Sequence, residues 1–146
     1  MKIAIGSDHG GVDQKEQVIK YLKERGYEVV NVGTDSHDSC HYPEFGAKVG
    51  RLVASKECQF GIVICTSGEG IMMAANKIKG IRCGIGYNDE VSKLMRQHND
   101  ANVIAFGAKF MDTKDVCRRI EIFLTTEFEG GRHATRVDMI KALEEK

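Results

Sequence analysis

The chain has 146 residues, and its 21 lysines and arginines are balanced by 21 aspartates and glutamates, so the formal net charge is zero. A surface without a basic field has no means of holding nucleic acid or an anionic membrane, and the expected partner is a small molecule. No apolar run approaches the roughly 20 residues that cross a bilayer, and Met1 leads straight into Lys2-Ile3-Ala4-Ile5 without a cleavable leader; the expectation is a cytoplasmic protein with one domain over residues 1–146.

In chain order, Lys2 to Gly6 reads as a buried strand, and Asp13 to Arg25 as a helix whose apolar positions Val18, Ile19 and Leu22 recur at helical spacing before Gly26 stops it. Tyr27 to Val32 is a second strand, and Gly33 to Ser39 a polar loop. The only proline, Pro43, opens a helix through Phe45, Val49, Leu52 and Val53. Phe60 to Cys65 is a third strand, followed by a helix that begins near Gly70 and carries Ile71 to Lys77. Ile81 to Tyr87 is a strand, Asp89 to Gln97 a helix and Val103 to Phe106 a strand. A helix over Thr113 to Thr125, a loop at Glu129-Gly130-Gly131 and a last helix from about Thr135 to Glu145 complete the chain. Strands without alternation, separated by helices, mark a parallel sheet covered on both faces. The predicted fold is therefore α/β, a Rossmann-like, doubly wound, three-layer sandwich, with its site beyond the carboxyl ends of the strands.

Five cysteines, Cys40, Cys58, Cys65, Cys83 and Cys117, form an odd set without C-x-x-C spacing, so no zinc or redox pair is indicated. Cys58, Cys83 and Cys117 read as small core hydrophobes. Cys65 differs, because it closes an apolar run and opens Thr66-Ser67-Gly68-Glu69-Gly70. A cysteine placed just before a helix N-terminus meets a positive dipole and unpaired N–H groups, which favour the thiolate. The loop is a poor nucleotide cradle, since Met73 stands where the dinucleotide fingerprint has its third glycine and no G-K-[ST] exists. It is also a poor thiol-phosphatase loop, because Ile71 occupies the arginine position. An anion hole built from backbone amides fits it best.

Two other clusters join it. Gly6-Ser7-Asp8-His9-Gly10-Gly11 follows the first strand, and Gln97-His98-Asn99-Asp100 precedes the fifth; both are expected to converge on Cys65. Near the C-terminus, Arg132 and Arg136 stand four residues apart at a helix start, a spacing that puts two guanidinium forks on one face for a phosphate dianion. From the residues alone Cys65 could act as base or as nucleophile, with His9 or His98 taking its proton.

Taken together, these motifs resemble the B-type ribose-5-phosphate isomerases, in the wider group that includes galactose-6-phosphate isomerase subunits. The likeness runs nearly end to end and rests on Gly6 to Gly11, Tyr42-Pro43, Gly61 to Cys65, Gly70-Ile71, Ala74 to Lys77, Gly80-Ile81-Arg82, Arg96 to Asn102 and Gly130 to Arg136. The resemblance implies an enzyme without metal or organic cofactor, a homodimer or homotetramer whose active sites lie between paired subunits. It implies Cys65 as the base that moves a proton between the first two sugar carbons through a cis-enediolate. Asp8 and His98 open the furanose, Ser67 lends a hydroxyl, and Asn99 with the amides of Ser67, Gly68, Glu69 and Gly70 holds the enediolate oxygen. By the same resemblance His9, Arg132 and Arg136 bind phosphate, Tyr42 lines the pocket, and His98 and Asn99 come from the neighbouring subunit.

The sequence departs from the family pattern at several points. Thr66 replaces the usual glycine, Glu69 sits between the glycines, Lys109 stands where many members have a phosphate-binding arginine, and His41 stands where an aspartate usually precedes Tyr-Pro. Some relatives that lack the cysteine use a glutamate at the Gly70 position, which makes Glu69 a second candidate base. The expected reaction is the interconversion of ribose 5-phosphate and ribulose 5-phosphate. The rival readings are the same chemistry on a galactose or allose 6-phosphate or a tetrulose 4-phosphate, a non-catalytic sugar-phosphate binder, and a thiol hydrolase.

Overall fold

The computed structural model describes residues 1–145. Five parallel strands, β1 (Lys2–Ser7), β2 (Glu28–Asn31), β3 (Phe60–Cys65), β4 (Cys83–Ile85) and β5 (Val103–Gly107), form one sheet in the order β2-β1-β3-β5-β4. Helices α1 (Val12–Glu24), α2 (Tyr42–Ala54), α3 (Glu69–Asn76), α4 (Asp89–Gln97) and α5 (Thr113–Thr125) connect and cover the strands, and α6 (Arg132–Leu143) follows α5.

The central strands bury both faces, which is why they read as unbroken apolar runs. Ile3 and Ile5, Ile62 and Ile64, and Ile104 and Phe106 join Val18, Leu22, Met95, Val116, Ile120 and Phe123 in one core layer, supplied by α1, α4 and α5. The alternate residues Ala4, Val63, Cys65, Val103 and Ala105 join Phe45, Val49, Val53, Ile71 and Ala75 from α2 and α3 on the other side. The three-layer, doubly wound sandwich is thus the observed architecture. Each fully buried isoleucine contributes about 2 kcal/mol by leaving water, and truncation of Ile64 to alanine costs about 3 kcal/mol once the cavity is included.

Some boundaries differ from the sequence expectation. Strand β4 spans three residues instead of Ile81 to Tyr87, because it is an edge strand hydrogen-bonded only to β5 and Ile81 is held in a turn by its N–H to Ile78 O at 3.1 Å. Helix α6 begins at Arg132 and not at Thr135, since Gly130 and Gly131 take positive φ values of 69° and 57° and turn the chain directly into the helix. All five cysteines are free thiols; Cys58 and Cys117 are buried as expected, and burial raises the pKa of both. Cys83 is only half-buried, on the edge strand. Among the described residues no helix is long and apolar enough to cross a membrane.

The winding positions the site. From β1 the chain moves outward to β2 and then returns to the other side of β1 as β3, so the loops after β1 and β3 part company above the sheet and leave a crevice between them. Ser7 is level with Ile64 and Cys65 with Gly107, which brings Asp8, Thr66 and Ala108 out along one carboxyl edge.

Candidate active site

At the carboxyl edge Cys65 is the last residue of β3 and is 5 % exposed, on the α2–α3 side of the sheet. Its sulfur accepts the Gly68 N–H at 3.1 Å. Gly68 makes this return possible: it caps α3 with φ 87°, a left-handed conformation that other residues adopt only with strain. The loop is fastened to β5 by Ala108 N–H on Cys65 O at 2.9 Å and Lys109 N–H on Thr66 O at 3.1 Å. Helix α3 starts at Glu69, so the first-turn amides of Gly70 and Ile71, which have no carbonyl partner within the helix, open beside the thiol. The Ser67 hydroxyl accepts the Glu69 N–H at 3.3 Å, which leaves its own proton to donate.

Tyr42, the first residue of α2, lies across this loop: a Cβ added to Gly70 would stand 2.6 Å from its ring. The side chain that Gly70 lacks is therefore replaced by the Tyr42 ring, which forms one wall of the crevice and is itself 41 % exposed. Glu69 is exposed and helps line a cavity of about 640 Å³ with Ser67, Met72, Ile85, Tyr87 and Phe110.

Across the switch point Asp8 is 6 % exposed, and its Oδ1 accepts the Gly10 N–H at 2.9 Å. His9 follows, half-buried. The Cys40 N–H donates to its Nδ1 at 3.2 Å, so Nδ1 is the acceptor and Nε2 carries the proton, available to an anion. Lys109 shares a cavity of about 330 Å³ with Gly10 and Gln14, and its side chain is exposed without a carboxylate partner among the described residues. Of the two histidines left open by the sequence, His37 pairs with Asp13 at 2.8 Å, and His41 is exposed at the N-cap of α2 without capping it through its side chain.

The expected convergence of His98 and Asn99 with Cys65 does not occur within one chain. Helix α4 runs back across the sheet, so its end returns to the amino edge. Gly61 N–H donates to Asn102 O at 3.0 Å, and the Arg82 guanidinium donates to Asn99 O and Asp100 O at 3.1 and 2.8 Å, which fixes residues 99–102 beside the starts of β3 and β4. Strand β5 rises about 13 Å between that level and Cys65. This turn is rigidly held. Asp100 adopts φ 47°, and its carboxylate lies between Arg96 at 2.8 Å and Arg82 at 3.2 Å, both largely buried.

Arg132 and Arg136 belong to the same amino edge. His133, between them on the first turn of α6, stacks on His98 with ring centroids 4.2 Å apart and planes 12° from parallel. Both arginines are exposed, with no carboxylate partner among the described residues. His98, Glu129 and His133 offer ligand atoms within 4.8 Å of one another, but near-parallel rings direct their lone pairs side by side instead of toward one ion. Burial, then the His98 ring and Arg132, lower the His133 pKa. Glu129 was not singled out in the sequence; its signal was its place immediately before the Gly-Gly turn.

One chain therefore carries the residues expected of the site in two separate groups. The carboxyl edge holds Asp8, His9, Tyr42, Cys65, Ser67 to Gly70 and Lys109, and the amino edge holds His98, Asn99, Arg132 and Arg136.

The chain is similar to known sugar-phosphate isomerases. Residues 3–140 match the family model described as Ribose/Galactose Isomerase. The chain is 41 % identical over 145 residues to the ribose-5-phosphate isomerase B of Escherichia coli, covering 99 % of this chain and 97 % of that protein. Among solved structures it is similar to the ribose-5-phosphate isomerase B of Clostridium thermocellum, with TM-score 0.98, 47 % identity and 99 % and 98 % of the two chains covered. The Mycoplasma genitalium ribose-5-phosphate isomerase B with bound ribulose-5-phosphate is also similar, with TM-score 0.95, 35 % identity and coverage of 99 % and 97 %. The chain belongs to the ribose/galactose isomerase family and is an aldose–ketose isomerase of sugar phosphates.

Proposed function

We propose that this protein interconverts ribose 5-phosphate and ribulose 5-phosphate, with Cys65 as the base, at a site that pairs the carboxyl edge of one subunit with the amino edge of another. The observation that carries the reading is the Cys65 thiol held against the Gly68 amide at the switch point, with Asp8 on the neighbouring strand end. The relatives named for ribose 5-phosphate support the substrate.

The geometry performs the reaction in three stages. The furanose opens when a base takes the proton from O1, the carbonyl forms at C1, the C1–O4 bond breaks and an acid delivers a proton to O4; His98 and Asp8 are that acid–base pair. The Cys65 thiolate then removes the proton on C2, and the electron pair moves to give a cis-enediolate whose negative oxygen is met by Asn99 and by the loop amides of Ser67 and Gly70, while the Gly68 and Glu69 amides keep the thiol and the Ser67 hydroxyl in place. The same thiol returns the proton to C1, and a proton passes from the C2 oxygen to the C1 oxygen. His9, Arg132 and Arg136 hold the phosphate, with Lys109 nearby, so that binding energy at the far end positions the reacting carbons.

Distance supports the shared site. The reacting carbons are about 1.5 Å apart, whereas Cys65 and His98 of one chain are separated by the rise of β5. Exposed apolar side chains lie at both edges: Tyr87 and Phe110 at one, and Ile140 and Leu143 of α6 at the other, which suits an isologous pairing of two copies. The deciding experiment is a panel of four-, five- and six-carbon sugar phosphates assayed with the purified protein. The highest kcat/KM on ribose 5-phosphate is expected, and a higher value on a hexose 6-phosphate or a tetrose 4-phosphate would replace the substrate while leaving the chemistry.

A further inference from the structure

The ring-opening histidine is not alone at the amino edge. His98 caps the end of α4, and the Glu129 N–H donates to Gln97 O at 3.1 Å, which ties the loop before α6 to that helix end. The two left-handed glycines then turn the chain so that His133 enters α6 directly against the His98 ring. One Glu129 oxygen lies 3.5 Å from His133 Nε2 and 3.9 Å from His98 Nε2. Such contacts are long in the absence of substrate, and catalytic hydrogen bonds commonly tighten only in the complex.

The three groups are unequal. His133 is almost buried, and burial, the His98 ring, Arg132 and Arg136 all oppose a proton on it, with Glu129 alone favouring one. The His98 side chain is 39 % exposed and free to meet a sugar. The one carboxylate charge is thus available to the imidazole that exchanges protons with substrate. As an exposed surface ion pair Glu129 contributes little to folding, its side chain being half in solvent.

We infer that Glu129 and His133 are positioning residues for His98: Glu129 holds one imidazole nitrogen, setting the tautomer and balancing the charge that appears when the ring takes a proton, and the stacked His133 fixes the ring plane. The other nitrogen of His98 is left for the sugar. This rests on the reading of His98 as a ring-opening residue, and it is the arrangement by which a carboxylate orients a catalytic histidine in acyl transfer.

The test uses an asymmetry of the substrates. Ribulose 5-phosphate carries its phosphate on the hydroxyl that would close a five-membered ring, so it is already open; ring opening burdens only the aldose direction. Glu129→Gln is expected to lower kcat for ribose 5-phosphate about tenfold or more, the scale of lost acid–base assistance, while initial consumption of ribulose 5-phosphate stays near the wild-type rate and open-chain aldose closes in solution. Glu129→Asp should recover part of the loss. His133→Phe, which keeps an aromatic plane, should retain more activity than His133→Ala. Equal losses in the two directions, or no loss in either, would overturn the inference, and unchanged thermal unfolding of Glu129→Gln separates both results from misfolding. Cys65→Ala and His98→Asn are the controls: if both isomerise at the wild-type rate, the functional reading itself fails.

Discussion

Cys65 and His98 of the same chain stand at opposite edges of one sheet, with Cys65 level with Gly107 at the carboxyl end of β5 and His98 beyond Val103 at its amino end. A site that uses both must draw them from two chains. Cys65→Ala and His98→Asn proteins should each be nearly inactive alone. Mixed, unfolded and refolded together in equal amounts, they should recover about a quarter of wild-type activity, because half of randomly paired dimers carry one intact site out of two. No recovery on mixing would exclude a shared site.

Cys65→Ala should reduce turnover by at least about a hundredfold in both directions and leave sugar-phosphate binding in place, as expected when a group acting in proton transfer is removed. Glu69→Gln should leave most of the rate, since Glu69 faces the cavity beside Tyr87 and Phe110. Arg132→Ala should show the opposite signature, a KM raised about tenfold or more with a smaller effect on kcat, from the loss of charge-assisted hydrogen bonds to phosphate. Steady-state kinetics together with calorimetric binding distinguish these patterns.

Asp100 holds the turn that presents His98 and Asn99. Its carboxylate bridges Arg96 and Arg82, whose side chains are only 9 % and 12 % exposed, so its removal leaves two poorly solvated guanidiniums. Asp100→Ala should cost about 3 kcal/mol, read as a lower urea midpoint, with an additional burden from placing alanine at positive φ. Asp100→Asn tolerates that backbone and should cost less.

Stability should also depend on His133. Its folded pKa lies below the usual 6.5 because of burial, the His98 ring and Arg132, so the unfolded chain binds more protons as the pH falls. The folded state should therefore lose stability as pH drops through about 6.5 toward the lowered value, and His133→Asn should flatten the decline between pH 7 and 5 in thermal unfolding. Asp35, held low by Lys15, and Asp89, held low by Arg118, act in the same sense but in a more acidic range. Their stabilisation is present above the carboxylate value of 3.8 and is lost only in stronger acid.

The sequence by itself determined the order of the elements and the class of sheet, because unbroken apolar strands between amphipathic helices have few other ways to bury both faces. It also marked Cys65 and Asp8 as strand-end residues, since parallel strands send all their following loops to one edge. Residue spacing alone brought the His98 segment to the Cys65 edge, which is not where the chain carries it. A helix that returns antiparallel to the sheet delivers its last residues to the opposite edge, and only the tertiary structure shows Arg82 and Gly61 holding residues 99–102 there. The stack of His133 on His98 was equally illegible, because it depends on two left-handed glycines that start α6 three residues earlier than periodicity alone indicated. Local pattern specifies which residues lie on which element, and the side on which separate elements meet is decided by packing between parts of the chain far apart in sequence.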